Sequence, residues 1–119
     1  MAAYQLAAAL CDDLTMEVET WQNFEKWSLG VQLVRAAGSV GANIAEGSGR
    51  WTDADKRHLF LIARGSLYEL EHWVERAIHR GLLDRPYLGR IDEARGALTG
   101  LLRRPAPSAQ LPTPNSQPR

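Results

Sequence analysis

The sequence predicts an all-α fold, an antiparallel up-down-up-down four-helix bundle followed by a disordered, proline-rich C-terminal tail. Apolar residues recur at steps of three and four in four segments of the 119-residue chain, which is the period of an amphipathic helix. No segment alternates apolar and polar residues as a half-buried strand does. The connections between the four segments are short, and helices joined by short loops pack as antiparallel neighbours.

The first predicted helix covers about residues 2–22, and a connector leads to the second at about 29–48. Ser28 is a candidate N-cap for the second helix, because its hydroxyl can accept a hydrogen bond from an early backbone N–H. The second helix is rich in glycine, and each interior glycine costs about 1 kcal/mol relative to alanine. We therefore expect another backbone to approach this helix closely. The predicted buried faces are Tyr4, Ala7, Cys11, Leu14, Val18 and Trp21 in the first helix, and Leu29, Leu33, Ala37, Val40 and Ile44 in the second.

The third and fourth predicted helices cover about residues 53–80 and 85–104. Gly47-Ser48-Gly49 should end the second helix in the left-handed conformation that glycine adopts without a Cβ clash. Thr52 should cap the third helix, and Gly81 should end it. The predicted buried faces are Leu59, Ala63, Leu67, Leu70, Val74 and Ala77 in the third helix, and Tyr87, Ile91, Ala94, Leu98 and Leu101 in the fourth.

The C-terminal segment has a different composition. Five prolines within residues 105–119 exclude a helix, because proline lacks the backbone N–H and clashes with the preceding turn. The segment also offers too little apolar surface for a core. We therefore predict one bundle domain, residues 1–104, and a tail, residues 105–119.

Charge is balanced over the whole chain but not along it. There are 14 acidic and 14 basic residues, so the composition does not indicate the strongly basic class of nucleic-acid-binding proteins. Residues 1–30 sum to −4, whereas residues 81–119 sum to +3. One interpretation is that the two ends attract each other within the bundle or an oligomer. The other is a local anion-binding surface near the C-terminus.

A single cysteine, Cys11, excludes an intrachain disulfide and is typical of a reducing cytoplasm. No apolar run reaches the roughly 18 residues that a membrane span needs. The N-terminal residues lack the basic region of a signal peptide. We therefore expect a cytoplasmic protein.

Two segments carry a resemblance to a known family. They read Asn-Ile-Ala-Glu-Gly-Ser-Gly-Arg over residues 43–50 and Leu-Ile-Ala-Arg-Gly-Ser-Leu-Tyr-Glu-Leu-Glu over residues 61–71. Together with Gln32-Leu33-Val34-Arg35-Ala36-Ala37 and Ser39-Val40, they resemble the four-helix-bundle family encoded in intervening sequences of bacterial 23S ribosomal RNA genes. That family also includes the accessory variability determinant of diversity-generating retroelements. The resemblance covers about residues 28–83.

The resemblance implies an antiparallel bundle that assembles as a ring, commonly a homopentamer. For the retroelement branch it also implies binding to a reverse transcriptase and to RNA or DNA. We therefore predict a non-enzymatic, homo-oligomeric binding module without a cofactor. The alternative is a purely structural, scaffolding oligomer that binds another protein and no nucleic acid.

Two sets of polar residues are candidate sites. The arginines of the third helix form either a solvated charged face or a surface that neutralises phosphates. The second set would form a polar network that fixes the second helix against the third, or an active site built from a carboxylate and guanidinium groups. The candidate nucleic-acid-binding residues are Arg57, Arg64, Arg76 and Arg80, and the candidate network is Arg35, Asn43, Glu46, Arg50, Glu69 and Glu71.

Other motifs favour structure over chemistry. Glu69-x-x-His72 is half of a di-iron motif, but no second copy exists in the chain, and a complete site needs two. Gly47-x-Gly49 follows a predicted helix, whereas a phosphate-binding loop follows a strand. Trp27 and Trp51 lie near predicted helix ends, where indoles often anchor an interface. We interpret both as subunit contacts or bundle caps and not as base-stacking residues.

Overall fold

The computed structural model describes residues 1–103, and these form four helices and no strand. This confirms the predicted all-α fold. We number the helices α1, Ala2–Glu19; α2, described below; α3, Asp53–His79; and α4, Pro86–Arg103. The predicted tail lies outside the described residues.

Helix α2 begins earlier than the sequence predicts. It starts as Asn23–Glu25, passes through a π-helical segment at Lys26–Gly30 and continues as the α-helix Val31–Ser48. The prediction that Ser28 caps this helix was wrong, because Ser28 lies inside the π-helical segment. Its hydroxyl donates a hydrogen bond to the carbonyl of Phe24, 2.5 Å away, as serine does within a helix.

Each helix packs against two neighbours, in the cyclic order α1, α2, α3, α4 and back to α1, and the α2–α3 contact is the most extensive. The core lies along the axis between them. Burial of each large aliphatic side chain contributes about 1.5–3 kcal/mol relative to leaving it exposed. The largest fully buried side chains are Leu10, Leu14, Leu33, Val40, Ile44, Leu67, Leu70, Val74, Ile91 and Leu98.

Two glycines of α2 permit a close approach by neighbouring helices, but the atoms that come closest to them are side-chain atoms and not the backbone that the composition led us to expect. A Cβ atom on Gly47 would lie 2.9 Å from Cε1 of Phe60 and 3.1 Å from Cβ of Leu59, both in α3. A Cβ atom on Gly30 would lie 2.6 Å from Cγ1 of Val18 in α1. Both distances are shorter than carbon–carbon contacts allow. Glycine at these positions therefore sets the spacing between helices.

The end of α2 differs from the prediction. Gly49 has φ −89° and ψ −2°, a right-handed conformation, and Gly47 lies within the helix. The left-handed termination expected for Gly47-Ser48-Gly49 was therefore wrong. The last turn instead tightens through bonds from Gly49 N to Glu46 O and from Arg50 N to Gly47 O, each 3.1 Å, as helix ends often do.

Helix α3 has the caps that the sequence predicts. Oγ1 of Thr52 accepts a hydrogen bond from the backbone N–H of Asp55 at 3.1 Å. At the other end Gly81 has φ 75°, the one positive φ of a glycine among residues 1–103. Leu82 N donates to Ala77 O at 2.8 Å, and Gly81 N donates to Ile78 O at 2.9 Å. This pair of bonds is a Schellman motif.

Candidate binding groove

An open groove of about 410 Å³ lies between the N-terminal part of α2 and the C-terminal part of α3. We call it the α2–α3 groove. The π-helical segment of α2, Lys26–Gly30, borders this groove. A π-helical turn contains one residue more than an α-helical turn, and it therefore changes which side chains of α2 face α3. The groove is lined by Phe24, Ser28, Leu29 and Gln32 from α2 and by His72, Trp73, Arg76 and Arg80 from α3.

Trp73 is held in one orientation in this groove. Its indole Nε1 donates a hydrogen bond to Oε2 of Glu69 at 3.1 Å. The ring of His72 meets it edge to face, with the ring centroids 4.7 Å apart. Phe24 is 74% exposed on the facing helix. These two contacts favour one orientation of the indole, which lowers the loss of side-chain entropy when a ligand packs on it.

Two arginines line the groove, and the carboxylate of Glu69 lies beside it, bound to Trp73. Arg76 and Arg80 are one helical turn apart and both line it, and none of its eight lining residues carries a carboxylate. Guanidinium groups next to aromatic rings can bind a phosphate and stack a base, or donate hydrogen bonds to backbone carbonyls. The arrangement suits the binding of an acceptor-rich ligand and offers no nucleophile paired with a base.

The four candidate nucleic-acid-binding arginines do not form one surface. Arg76 and Arg80 line the groove. Arg57 lies at the opposite end of α3, where its Nη1 donates to the carbonyl of Leu102 at 3.2 Å. It thus satisfies a terminal carbonyl of α4 and complements the negative end of that helix dipole. Arg64 is exposed near the middle of α3.

The six residues of the predicted polar network are not brought together either. Glu46, in the last turn of α2, forms an exposed ion pair with Arg50, which follows the helix. Arg35 is exposed and forms no ion pair with any residue in the described part of the chain. Glu69 accepts a hydrogen bond from Trp73 instead. The expectation that Glu69 or Glu71 pairs with Arg35 or Arg50 was wrong, because Arg50 pairs with Glu46 and the two glutamates contact Trp73 and Arg95.

Polar side chains link α2 and α3 at two places. Near the end of α2, Nζ of Lys56 donates to the carbonyl of Ser48 at 3.2 Å, and near the middle of α2 the link is made by neutral side chains. The hydroxyls of Ser39 and Ser66 are 2.8 Å apart. Nδ2 of Asn43 donates to the carbonyl of Ser39 at 2.8 Å and to its hydroxyl at 3.1 Å. Of the six predicted network residues, Asn43 contacts this link, through Ser39 of its own helix, and the bond that crosses to α3 joins two serines. Short side chains suit this contact because they let the two helices pack closely.

Glu71 joins α3 to α4. Its Oε1 lies 3.1 Å from Nη2 of Arg95, which also approaches Oδ1 of Asp92 at 3.5 Å. The Arg95 guanidinium lies over the ring of Tyr68, 4.8 Å from its centroid. This side chain is only 19% exposed, so its ion pairs are less screened by solvent than surface pairs. The sequence pattern does not indicate Arg95, since Glu71 and Tyr68, which it contacts, lie in the neighbouring helix α3.

A second charged contact closes the bundle between α1 and α4. Nη1 of Arg90 lies 2.7 Å from Oδ2 of Asp13, and the hydroxyl of Tyr87 donates to Oε2 of Glu17 at 3.0 Å. The acidic N-terminal helix therefore meets the basic C-terminal helix within one chain. Burial, the hydrogen bond to Glu17 and the nearby carboxylate charges together raise the pKa of Tyr87 to about 12.

This raised pKa predicts a loss of stability at alkaline pH. An unfolded tyrosine releases its proton near pH 10, whereas folded Tyr87 keeps it until about pH 12. The folded state therefore binds more protons between these values, and its free energy of unfolding falls as the pH rises, by at most about 1.4 kcal/mol per pH unit. Urea unfolding of the full chain and of Tyr87→Phe from pH 8 to 11.5 checks this. Above pH 10, the free energy of unfolding should fall less steeply with pH in Tyr87→Phe than in the unaltered chain. Equal slopes for the two proteins would contradict the prediction.

Within residues 1–103, no group of three or more histidine, cysteine, aspartate or glutamate side chains is placed to hold a metal ion. None of the described helices is both long enough and apolar enough to span a membrane.

Comparisons with known proteins bear on the fold and the family. The model of the family described as 23S rRNA-intervening sequence protein matches residues 1–102. A crystal structure of a protein with unknown function from the S23 ribosomal protein family of Bacteroides thetaiotaomicron VPI-5482 superposes with a TM-score of 0.76 at 19% sequence identity. The alignment covers 86% of this chain and 99% of that one. At this identity the likeness shows a common fold. No curated protein matches the chain.

Proposed function

Because the chain belongs to the 23S rRNA-intervening sequence protein family, we propose that it is a non-enzymatic, homo-oligomeric binding module, a pentamer of four-helix bundles in the cytoplasm. One observation supports the proposed oligomer. Trp51 is 97% exposed and Trp27 is 71% exposed, and large aromatic side chains left in water on a small domain commonly mark an interface. Association would bury both indoles.

Light scattering on the full chain tests the oligomer. The expected mass is about five times the 13.2 kDa of one chain, and it should decrease when Trp27→Ala and Trp51→Ala are combined. Met16→Ala is the matched control, since Met16 is also exposed (66%) but lies among the acidic side chains of α1. A monomeric mass for the unaltered chain would rule out the oligomer.

Nucleic acid is the second part of the proposal. The resemblance to the retroelement branch suggests a reverse transcriptase and RNA or DNA as partners, and the α2–α3 groove supports single strands as the form bound. It combines Arg76 and Arg80 with the oriented indole of Trp73, which is the chemistry that tracks a phosphate backbone and stacks bases.

A gel shift with RNA and single-stranded DNA at increasing salt tests this part. Binding at low ionic strength that weakens steeply with salt is the expected result, because neutralising phosphates releases counterions. Absence of binding at low ionic strength would favour the alternative, a scaffolding oligomer that binds only proteins. A copurified reverse transcriptase would identify the protein partner.

A further inference from the structure

The guanidinium groups of Arg76 and Arg80, which line the α2–α3 groove, have no structural role in the described part of the chain. Neither forms an ion pair with any residue there. Arginine near a helix C-terminus often satisfies the last carbonyls, as Arg57 does at the end of α4. At the end of α3 the backbone N–H groups of Gly81 and Leu82 satisfy them. The two guanidinium groups are therefore available to a ligand.

The donors of these two arginines match a phosphate at the end of a strand better than one inside it. Each guanidinium is a planar fork that can bind two oxygens at once, and Arg76 and Arg80 line the same groove one helical turn apart. A phosphomonoester has three free oxygens and a charge of about −1.5 to −2 at neutral pH, so both forks can bind it. A phosphodiester inside a strand has two free oxygens and a single charge, which suit one fork.

The nearest carboxylates leave this part of the groove cationic. The carboxylate of Glu69 is bound to Trp73, and the two arginines follow Trp73 along the helix. At 1.5 Å per residue, Glu69 lies about 10 Å from Arg76 and about 16 Å from Arg80 along the axis of α3, which exceeds the Debye length of about 8 Å at physiological ionic strength. Glu75 precedes Arg76 in the chain, but successive residues of a helix point about 100° apart. An anion therefore fits best at the end of the groove nearer the C-terminus of α3.

The same groove has an aromatic side chain that is open to a base. Phe24 is 74% exposed on α2, whereas Trp73 is partly buried and forms the wall on α3. Pockets that hold one drug-sized ligand measure about 300–1,000 Å³. At about 410 Å³, the groove has room for roughly one nucleotide. A base can stack on Phe24 while its phosphate contacts the arginines.

We propose that the α2–α3 groove binds the terminal nucleotide of a single strand, with the terminal phosphomonoester held by Arg76 and Arg80 and the base stacked on Phe24. This assignment rests on the proposed binding of nucleic acid and adds that the groove selects phosphorylated strand ends. A free nucleoside monophosphate has the same chemistry and should compete for the groove.

Fluorescence titrations of the full chain with four internally labelled single strands test the proposal. The first strand ends in hydroxyl groups, the second carries a 5′-phosphate and the third a 3′-phosphate. The fourth ends in hydroxyl groups but is two nucleotides longer, so that its charge is about that of the phosphorylated strands. At least one phosphorylated strand should bind roughly 10-fold more tightly than the fourth, the usual gain from a charge-assisted hydrogen bond. Equal affinities would overturn this proposal and leave the proposed nucleic-acid binding intact, whereas absence of binding to every strand would overturn both.

Lysine variants separate recognition of the phosphate from a general effect of charge. Arg76→Lys combined with Arg80→Lys keeps both positive charges but removes the planar forks. This variant should bind the hydroxyl-ended strands with a similar salt dependence and should lose most of the preference for the phosphorylated strand. The matched control is Arg64→Lys, on the same helix but outside the groove, which should keep the preference. An unchanged preference in the double variant, or an equal loss in Arg64→Lys, would overturn the proposal.

Competition separates a nucleotide site from a site for phosphate alone. A nucleoside 5′-monophosphate should displace the phosphorylated strand at a lower concentration than inorganic phosphate does, because only the nucleotide can stack on Phe24. Phe24→Ala should remove this difference between the two competitors. Equal displacement by the two compounds in the unaltered chain would show that the base makes no contact, which would overturn the assignment of a terminal nucleotide to the groove.

Discussion

Replacing Gly30 with alanine is expected to lower the free energy of unfolding by about 1–3 kcal/mol, the usual effect of an extra methyl group in a packed interior. The added Cβ would lie 2.6 Å from Cγ1 of Val18 and 3.3 Å from the carbonyl oxygen of Glu25. Val18 is β-branched and therefore stiff at χ1, and it is only 6% exposed. Relief then requires α1 or the π-helical segment of α2 to move. Urea unfolding followed by circular dichroism at one fixed chain concentration measures the change.

Two further variants make the Gly30 result specific. Gly38→Ala is the matched control in the same helix, since its Cβ would meet only Sγ of Cys11, at 3.9 Å. It should increase the free energy of unfolding by up to about 1 kcal/mol through helix propensity. Val18→Ala should be less destabilising in the Gly30→Ala chain than in the unaltered chain, because it removes the clashing methyl group. A gain in stability for Gly30→Ala equal to that for Gly38→Ala would show that α1 and α2 are farther apart than described.

The largest expected effect on the proposed binding of nucleic acid comes from changes in the α2–α3 groove. Trp73→Ala should weaken binding of single-stranded nucleic acid by about 1–3 kcal/mol, the usual contribution of one stacked base, which is roughly a 5- to 150-fold increase in Kd. Changing Arg76 and Arg80 together to alanine should reduce the slope of log K against log salt by about 1.4, or about 0.7 for each phosphate contact with a single strand. Fluorescence titrations over a range of salt concentrations measure both quantities.

Arg64→Ala is the control for this experiment. Arg64 is exposed on the same helix but does not line the groove. Its loss should leave both the affinity and the salt slope close to those of the unaltered chain. Equal effects of Arg64→Ala and of the Arg76 and Arg80 changes would show that nucleic acid binds the charged surface of α3 in general and does not use the groove.

The sequence predicted the buried face of α3 correctly and that of α1 only in part. All six predicted residues of α3 are buried. In α1, Ala7, Leu14 and Val18 are buried as expected, but Tyr4 is 42% exposed, and Leu10 occupies the core in preference to Cys11. Five of the 18 residues of α1 are alanine. Alanine is compatible with either a buried or an exposed position. The spacing of apolar residues therefore does not determine which face of α1 packs against the core.

The residues that line the α2–α3 groove were likewise predicted from the sequence only in part. Sequence reasoning placed Arg76 and Arg80 on α3, because a spacing of four residues fixes a shared helix face. It did not place Phe24 or Ser28 beside them, since it predicted a connector where α2 already begins. A cluster of Asn-Phe-Glu-Lys-Trp contains no proline or glycine and could have indicated a helix. No sequence period indicates the π-helical segment that follows.

The sequence by itself determined the four helices, the caps at Thr52 and Gly81 and the family, because each depends on residues within a few positions of one another along the chain. The tertiary structure alone decided that Arg95 pairs with Glu71, that Tyr87 contacts Glu17, and that Ser39 meets Ser66. It also decided that the aromatic and arginine side chains of α2 and α3 form one groove. These contacts depend on how far each helix is rotated and shifted against its neighbours. Packing of the whole core sets those two quantities, and glycines such as Gly30 and Gly47 allow the close approach that fixes them.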